Sequence, residues 1–166
     1  MFRKKSLAIT ILTLLGAAYL FSIPADSKTE QFTIPAEIAG LQLRHSSQGK
    51  DAMAKISKLH GKEIAVKNGY VAHYESGQAK AMLYVAEFEN EEQARQQIDL
   101  MREKIGKGTK SFGHFRELKE ERRKIYSVLG FGQIHYFYLD SKKVIWLAVD
   151  PSVAKPVLEA VLKVIK

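Results

Sequence analysis

Residues 71–86, VAHYESGQAKAMLYVA, return 62 residues later as 133–148, QIHYFYLDSKKVIWLA, without a gap. His73-Tyr74 falls on His135-Tyr136, Lys80 on Lys142, Tyr84 on Trp146 and Ala86 on Ala148. Each copy splits into two apolar-rich runs around a short polar turn, Ser76-Gly77 in one and Asp140-Ser141 in the other, which is a hairpin pattern. Neighbours on a strand point to opposite faces. Tyr74 therefore shares a face with Tyr70 and Ala72, and Tyr136 shares one with Ile134 and Tyr138. That face is the expected core side, with His73 and His135 on the other.

Outward from the repeat, the pattern predicts strands at about 41–45, 62–67, 70–75, 79–88, 124–129, 132–139 and 142–149. Asn68-Gly69 is expected to turn the second into the third as a tight hairpin. Between the first two, KDAMAKISKLHG sets Met53, Ile56 and Leu59 on one helical stripe, with Gly61 as its C-terminal cap. Asn90 with Gln93 predicts an N-cap and capping box. The helix it opens buries Ala94, Ile98, Met101 and Ile105 and stops at Gly106 and Gly108. Asp150-Pro151 opens the last helix, although Pro156 suits only its first turn, so that helix effectively begins near 155. Residues 107–123 show no clear periodicity and are expected to be a linker, and Gly130–Gly132 a turn.

The resulting expectation is an α+β domain. An antiparallel sheet carries two or three helices on one face and is pseudo-duplicated into halves at about 41–106 and 107–166. YVAEFENEEQARQQIDLMREKI is similar to the strand-into-helix step of ferredoxin-like and α+β-barrel folds. The resemblance implies that general arrangement, and it carries no diagnostic motif.

The chain opens with MFRKKSLAITILTLLGAAYLFSIPADS. Arg3, Lys4 and Lys5 precede a run without charge, and the apolar stretch from Leu7 to Ile23 spans 17 residues, about 25 Å as a helix. Positive charge before such a run retains the N-terminus in the cytoplasm and sends the downstream chain across the membrane. Residues 1–25 thus read as a membrane anchor or a signal peptide. Residues 26–33 read as a tether and 34–166 as one domain, placed outside the cytoplasm, in the periplasm or at the cell surface.

The 166 residues include no cysteine, which rules out disulfides, thiolate metal sites, cysteine nucleophiles and a lipoprotein anchor. Histidines and carboxylates remain as metal ligands. If the two halves bring His73 and His135 together, neutral imidazoles suit a metal or a haem iron. The alternative is a framework Tyr retained for packing beside a histidine with no special task. His60 is placed to cap the end of its helix, or to form an acid–base dyad with Glu63.

Residues 102–124 hold nine basic and four acidic residues, while the rest of residues 26–166 balances at 14 of each. Lys107, Lys110, Arg116, Lys119, Arg122, Arg123 and Lys124, with Phe112 and Phe115 among them, are candidate contacts for anionic lipid, a cell-wall polymer or an acidic protein. Interspersed acids also allow a merely solvated loop. An exported protein has little occasion to meet nucleic acid.

There is no GxSxG, HExxH or glycine-rich phosphate loop, and no clustered carboxylate pair. The sequence therefore points to a non-catalytic binding or accessory domain of the cell envelope, with a haem- or metal-binding protein as the alternative.

Overall fold

The computed structural model describes residues 31–60, 64–120 and 122–165. Eight strands form one open antiparallel sheet. In chain order they are β1 (Glu37–Ile38), β2 (Leu41–Gln48), β3 (Asn68–Ser76), β4 (Ala79–Glu87), β5 (Gly113–Glu120), β6 (Arg123–Gly130), β7 (Gln133–Asp140) and β8 (Lys143–Val149). The helices are α1 (Gly49–His60), α2 (Glu91–Gly106) and α3 (Ala154–Val164), the last preceded by a single 3-10 turn at Pro151–Val153. Across the sheet the order is β1-β2-β3-β4-β8-β7-β6-β5, which leaves β1 and β5 as free edges.

The expected α+β plan with helices on one face is corrected here. Strands dominate the chain, and the helices are shared between both faces. Alternate residues of the central strands feed two separate cores. Tyr70, Tyr74, Leu83, Val85, Tyr138, Ile145 and Leu147 pack with Val157, Leu158 and Val161 of α3 on one side. Val71, Ala86, Phe137 and Val144 pack with Ala52 and Ile56 of α1 and Ala94, Ile98 and Met101 of α2 on the other. The cause is visible in KAMLYVAE and KVIWLAV. Both are nearly continuous apolar runs, so the strands they form must be covered twice.

The two halves share a strand plan but not a helix plan. Each runs four strands in sequential order, and their last strands, β4 and β8, pair at the centre with Tyr84 opposite Trp146. The hairpin turns occupy Gly77-Gln78 and Ser141-Lys142, 64 residues apart rather than 62. By strand register Phe137 therefore holds the place of His73, and Val71 that of His135. In addition α1 interrupts only the first half, and α2 and α3 leave the sheet toward opposite faces. A ββα unit copied whole does not describe this chain.

Three local expectations are also corrected. Asn68-Gly69 is not a turn but the start of β3, paired with Glu87 and Ala86. Gly69 is glycine because the backbone of β4 crowds it and α1 lies over it: a Cβ there would stand 2.5 Å from the Val85 carbonyl oxygen and 3.2 Å from Ile56 Cδ1. The 62–67 strand is absent over Ile64–Val66, and residues 61–63, with Gly61 and Glu63, lie outside the described residues. The supposed linker contains β5, an edge strand whose polar side chains hid its alternation. It pairs with β6 from Arg116 opposite Ser127 to Glu120 opposite Arg123.

The helix boundaries follow local chemistry. The Asn90 side-chain oxygen accepts from the Gln93 amide at 2.9 Å, capping α2. Asp150 serves differently from expectation. It makes no side-chain cap, and its carboxylate instead accepts from the Lys80 amide at 2.8 Å and from Gln133 Nε2 at 2.9 Å. It thereby ties the start of β4 to β7.

Candidate functional site

α1 and α2 lie on the same face of the sheet without closing over it, and between them is a groove of about 310 Å³. Its floor is built from β4 and β8, with Tyr84, Ala86, Val144 and Trp146. One wall is Ile56, Leu59 and His60 of α1, followed by Ile64. The other is Gln97, Leu100, Met101, Lys104 and Ile105 of α2. Thr109, Ser111 and Phe112 close one end. The volume is at the lower limit for small-molecule clefts, roughly 300–1,000 Å³, and an apolar lining with a few polar groups is their usual character.

The floor is held rigidly. The Trp146 ring stacks on Phe137 at 5.3 Å with a 12° interplanar angle and meets Phe112 edge-on at 5.6 Å. Trp146 Nε1–H donates to His135 Nδ1 at 3.2 Å, and His135 Nε2 lies 3.0 Å from the Gly130 carbonyl oxygen. Accepting at Nδ1 and donating at Nε2 requires the neutral imidazole. Burial lowers the pKa of His135 below the ordinary 6.5, with the Gly130 bond acting in the opposite sense. Beside it the Tyr84 hydroxyl donates to Met82 Sδ, and burial raises its pKa.

The lips of the groove are unusually apolar. Leu59, expected in the core, is 59% exposed on α1, and Leu100 is 43% exposed across from it on α2. Among the described residues Lys104 is the only formally charged side chain in the lining. His60 sits at the rim with Nδ1 2.8 Å from the Ile56 carbonyl oxygen, the geometry of a ring N–H satisfying a terminal helix carbonyl.

The paired histidines of the sequence do not share a site. His73 and His135 occupy one cross-strand row, His73–Met82–Ala148–His135, so β4 and β8 stand between them. That is about 14 Å at the usual strand spacing. His135 has its acceptor nitrogen engaged by Trp146. His73 instead meets His45, directly opposite on β2, with ring centroids 4.5 Å apart. Burial first, then the proximity of His45 and Lys55, lowers its pKa. Among the described residues no group of three or more metal-ligating side chains converges. These residues do not fit a metal or haem held between His73 and His135. The His60–Glu63 dyad involves a residue outside the described ones.

Of the basic candidates, Arg122, Arg123 and Lys124 border one cleft and the others are dispersed. Lys107 pairs with Glu103 at 2.8 Å, Lys124 with Glu117 at 3.0 Å, and Arg123 with Asp140 at 2.7 Å. Arg116 and Lys119 lie on β5, Lys110 in the loop before it, and Arg122 just before β6. No helix among the described residues is long and apolar enough to cross a membrane, and Arg3, Lys4, Lys5 and the Leu7–Ile23 run lie outside them.

Sequence reasoning missed the groove because its parts come from five separate segments. The usable signal was the aromatic pair Tyr84 and Trp146, aligned in the 62-residue sequence repeat and paired across β4 and β8, on strands apolar on both sides. No protein-family model, curated protein or solved structure matches this chain.

Proposed function

We infer that this chain is an exported, membrane-tethered binding module of the cell envelope that holds the apolar part of a small anionic amphiphile between α1 and α2. The observation carrying this reading is the groove itself, with an aromatic floor, exposed leucines on both lips and the Lys104 ammonium at the rim. Burying a chain of a few methylenes on Tyr84 and Trp146 contributes roughly 0.8 kcal/mol per CH₂. An anionic head suits Lys104 and the hydroxyls of Thr109 and Ser111. Export and tethering rest on Arg3, Lys4 and Lys5 before the Leu7–Ile23 run. A module of this kind carries or senses its ligand and needs no catalytic group.

Trp146, the single tryptophan of the chain, is a built-in reporter. Titration with decanoate is expected to shift its emission saturably. Ala86→Leu, which fills the floor, and Lys104→Glu, which reverses the rim charge, should each weaken binding about tenfold, or ~1.4 kcal/mol. An emission unchanged by decanoate, or equal titrations of parent and both variants, would sink this reading. Protease protection in intact cells and spheroplasts tests the location, since a domain shielded until lysis contradicts export.

A further inference from the structure

α2 is a ridge. Its Leu100–Met101 side faces the apolar groove, and its Arg95–Ile98–Asp99–Arg102 side overlooks a second, polar cleft of about 730 Å³. The opposite wall is Arg122, Arg123 and Lys124 at the start of β6, with Tyr126 on the floor and Asp140 and Ser141 at one end. Among the described residues the lining holds five cations and the carboxylates of Asp99 and Asp140. Arg123 is committed to Asp140 through Nε at 2.9 Å and Nη2 at 2.7 Å in a half-buried pair. The other pairs are exposed: Arg95–Glu91 at 2.6 Å, Arg102–Asp99 at 3.6 Å and Lys124–Glu117 at 3.0 Å. Such pairs contribute about 0–1 kcal/mol, so a multiply charged anion readily takes the cations over.

Basic side chains approach one another here from two walls, among the carboxylates of Asp99, Glu117 and Asp140. The Lys124 pKa is raised by its hydrogen bond to Glu117, whereas the nearby Arg102 guanidinium acts in the opposite sense. Burial raises the Tyr126 pKa, and Lys124 and Arg102 both oppose that shift. Arg102, Lys124 and the Tyr126 hydroxyl therefore lie near enough to one another to meet one anion, which would displace the carboxylates of Glu117 and Asp99 from them. A planar guanidinium opposite a point-charge ammonium is the donor set that suits phosphate oxygens.

We propose that this cleft is a binding site for a phosphate group, held by Arg102 from α2, Lys124 and Arg122 from the opposite wall, and the Tyr126 hydroxyl below. It is separate from the groove and independent of what the groove binds. Two sources supply the same chemistry, a free phosphate ester or a phospholipid head group.

Calorimetry on the full chain separates them, with pyrophosphate as the soluble probe and dihexanoyl phosphatidylglycerol as the head-group probe. Dihexanoyl phosphatidylcholine, whose ammonium cancels its phosphate, is the control. Binding of pyrophosphate alone assigns a soluble ligand. Binding of the phosphatidylglycerol, alone or alongside pyrophosphate, assigns a site that accepts a head group. The double variant Arg102→Gln/Lys124→Gln should weaken binding about tenfold or more. Lys155→Gln/Lys163→Gln, with the same charge change on α3 across the sheet, should leave it within about twofold. All four positions are surface side chains, and a thermal melt confirms that each variant folds. The proposal is overturned if neither anionic probe binds at physiological salt, if the phosphatidylcholine control binds as well as its anionic counterpart, or if both double variants lose affinity equally.

Discussion

Individual side chains in this protein are constrained by what lies against them more than by their own type. Gly69 is the clearest case, since the Val85 carbonyl of β4 and the Ile56 side chain of α1 leave no room for a Cβ. Gly69→Ala should cost about 1–3 kcal/mol by overpacking, read as a lowered urea midpoint. Two buried tyrosines supply a contrast. Tyr74 donates to the Pro35 carbonyl at 2.9 Å, whereas the Tyr138 hydroxyl is buried with no hydrogen-bond partner. Tyr74→Phe should therefore cost about 1 kcal/mol, and Tyr138→Phe should be neutral or stabilising; equal losses in denaturant melts would contradict this. His135 adds a pH dependence. Its folded pKa lies below the ordinary 6.5, so the unfolded chain takes up its proton first on acidification. Stability associated with the neutral ring is complete above about 6.5 and is lost as pH falls through the folded value. His73 shifts in the same direction. His135→Gln should flatten part of this acid slope in melts between pH 7.5 and 5, while Trp146 emission responds to the altered partner.

At the scale of elements, legibility tracked how local the signal was. The cap of α2 needs only Asn90 and Gln93, and it was readable; Asn90→Ala should cost about 1 kcal/mol, seen as a lower melting temperature. The Ala94–Ile98–Met101 stripe was equally plain. Asn68-Gly69 misled because the same dipeptide serves a turn or a close contact, and only the position of α1 distinguishes them. The strand expected at about 41–45 is present as β2, but the facing of its residues was not legible. A bulge between Leu43 and His45 shifts its register, so Leu43 opposite Tyr74 and His45 opposite His73 lie on different faces although two residues apart. The His45–His73 pair was invisible to alternation on that account. The candidate groove was the least legible feature, since its walls meet only once α1 and α2 are both seated on β3, β4 and β8.

For the molecule as a whole, the decisive property is a sheet covered on both faces but open at both ends. The two edges are protected in different ways. β1 is only two residues long, and β5 carries Arg116, Glu117, Lys119 and Glu120 along its outer length. These interspersed charges of both signs guard the backbone of β5 against recruiting another chain. Replacing these four residues by threonine would leave the pairing with β6 intact while removing the deterrent to edge-to-edge growth. Such a variant should form concentration-dependent assemblies with cross-β signatures in light scattering and dye binding, and the parent should stay dispersed. Resistance to edge-to-edge growth, on this view, resides in a two-residue stub at one border and a charged eight-residue ribbon at the other.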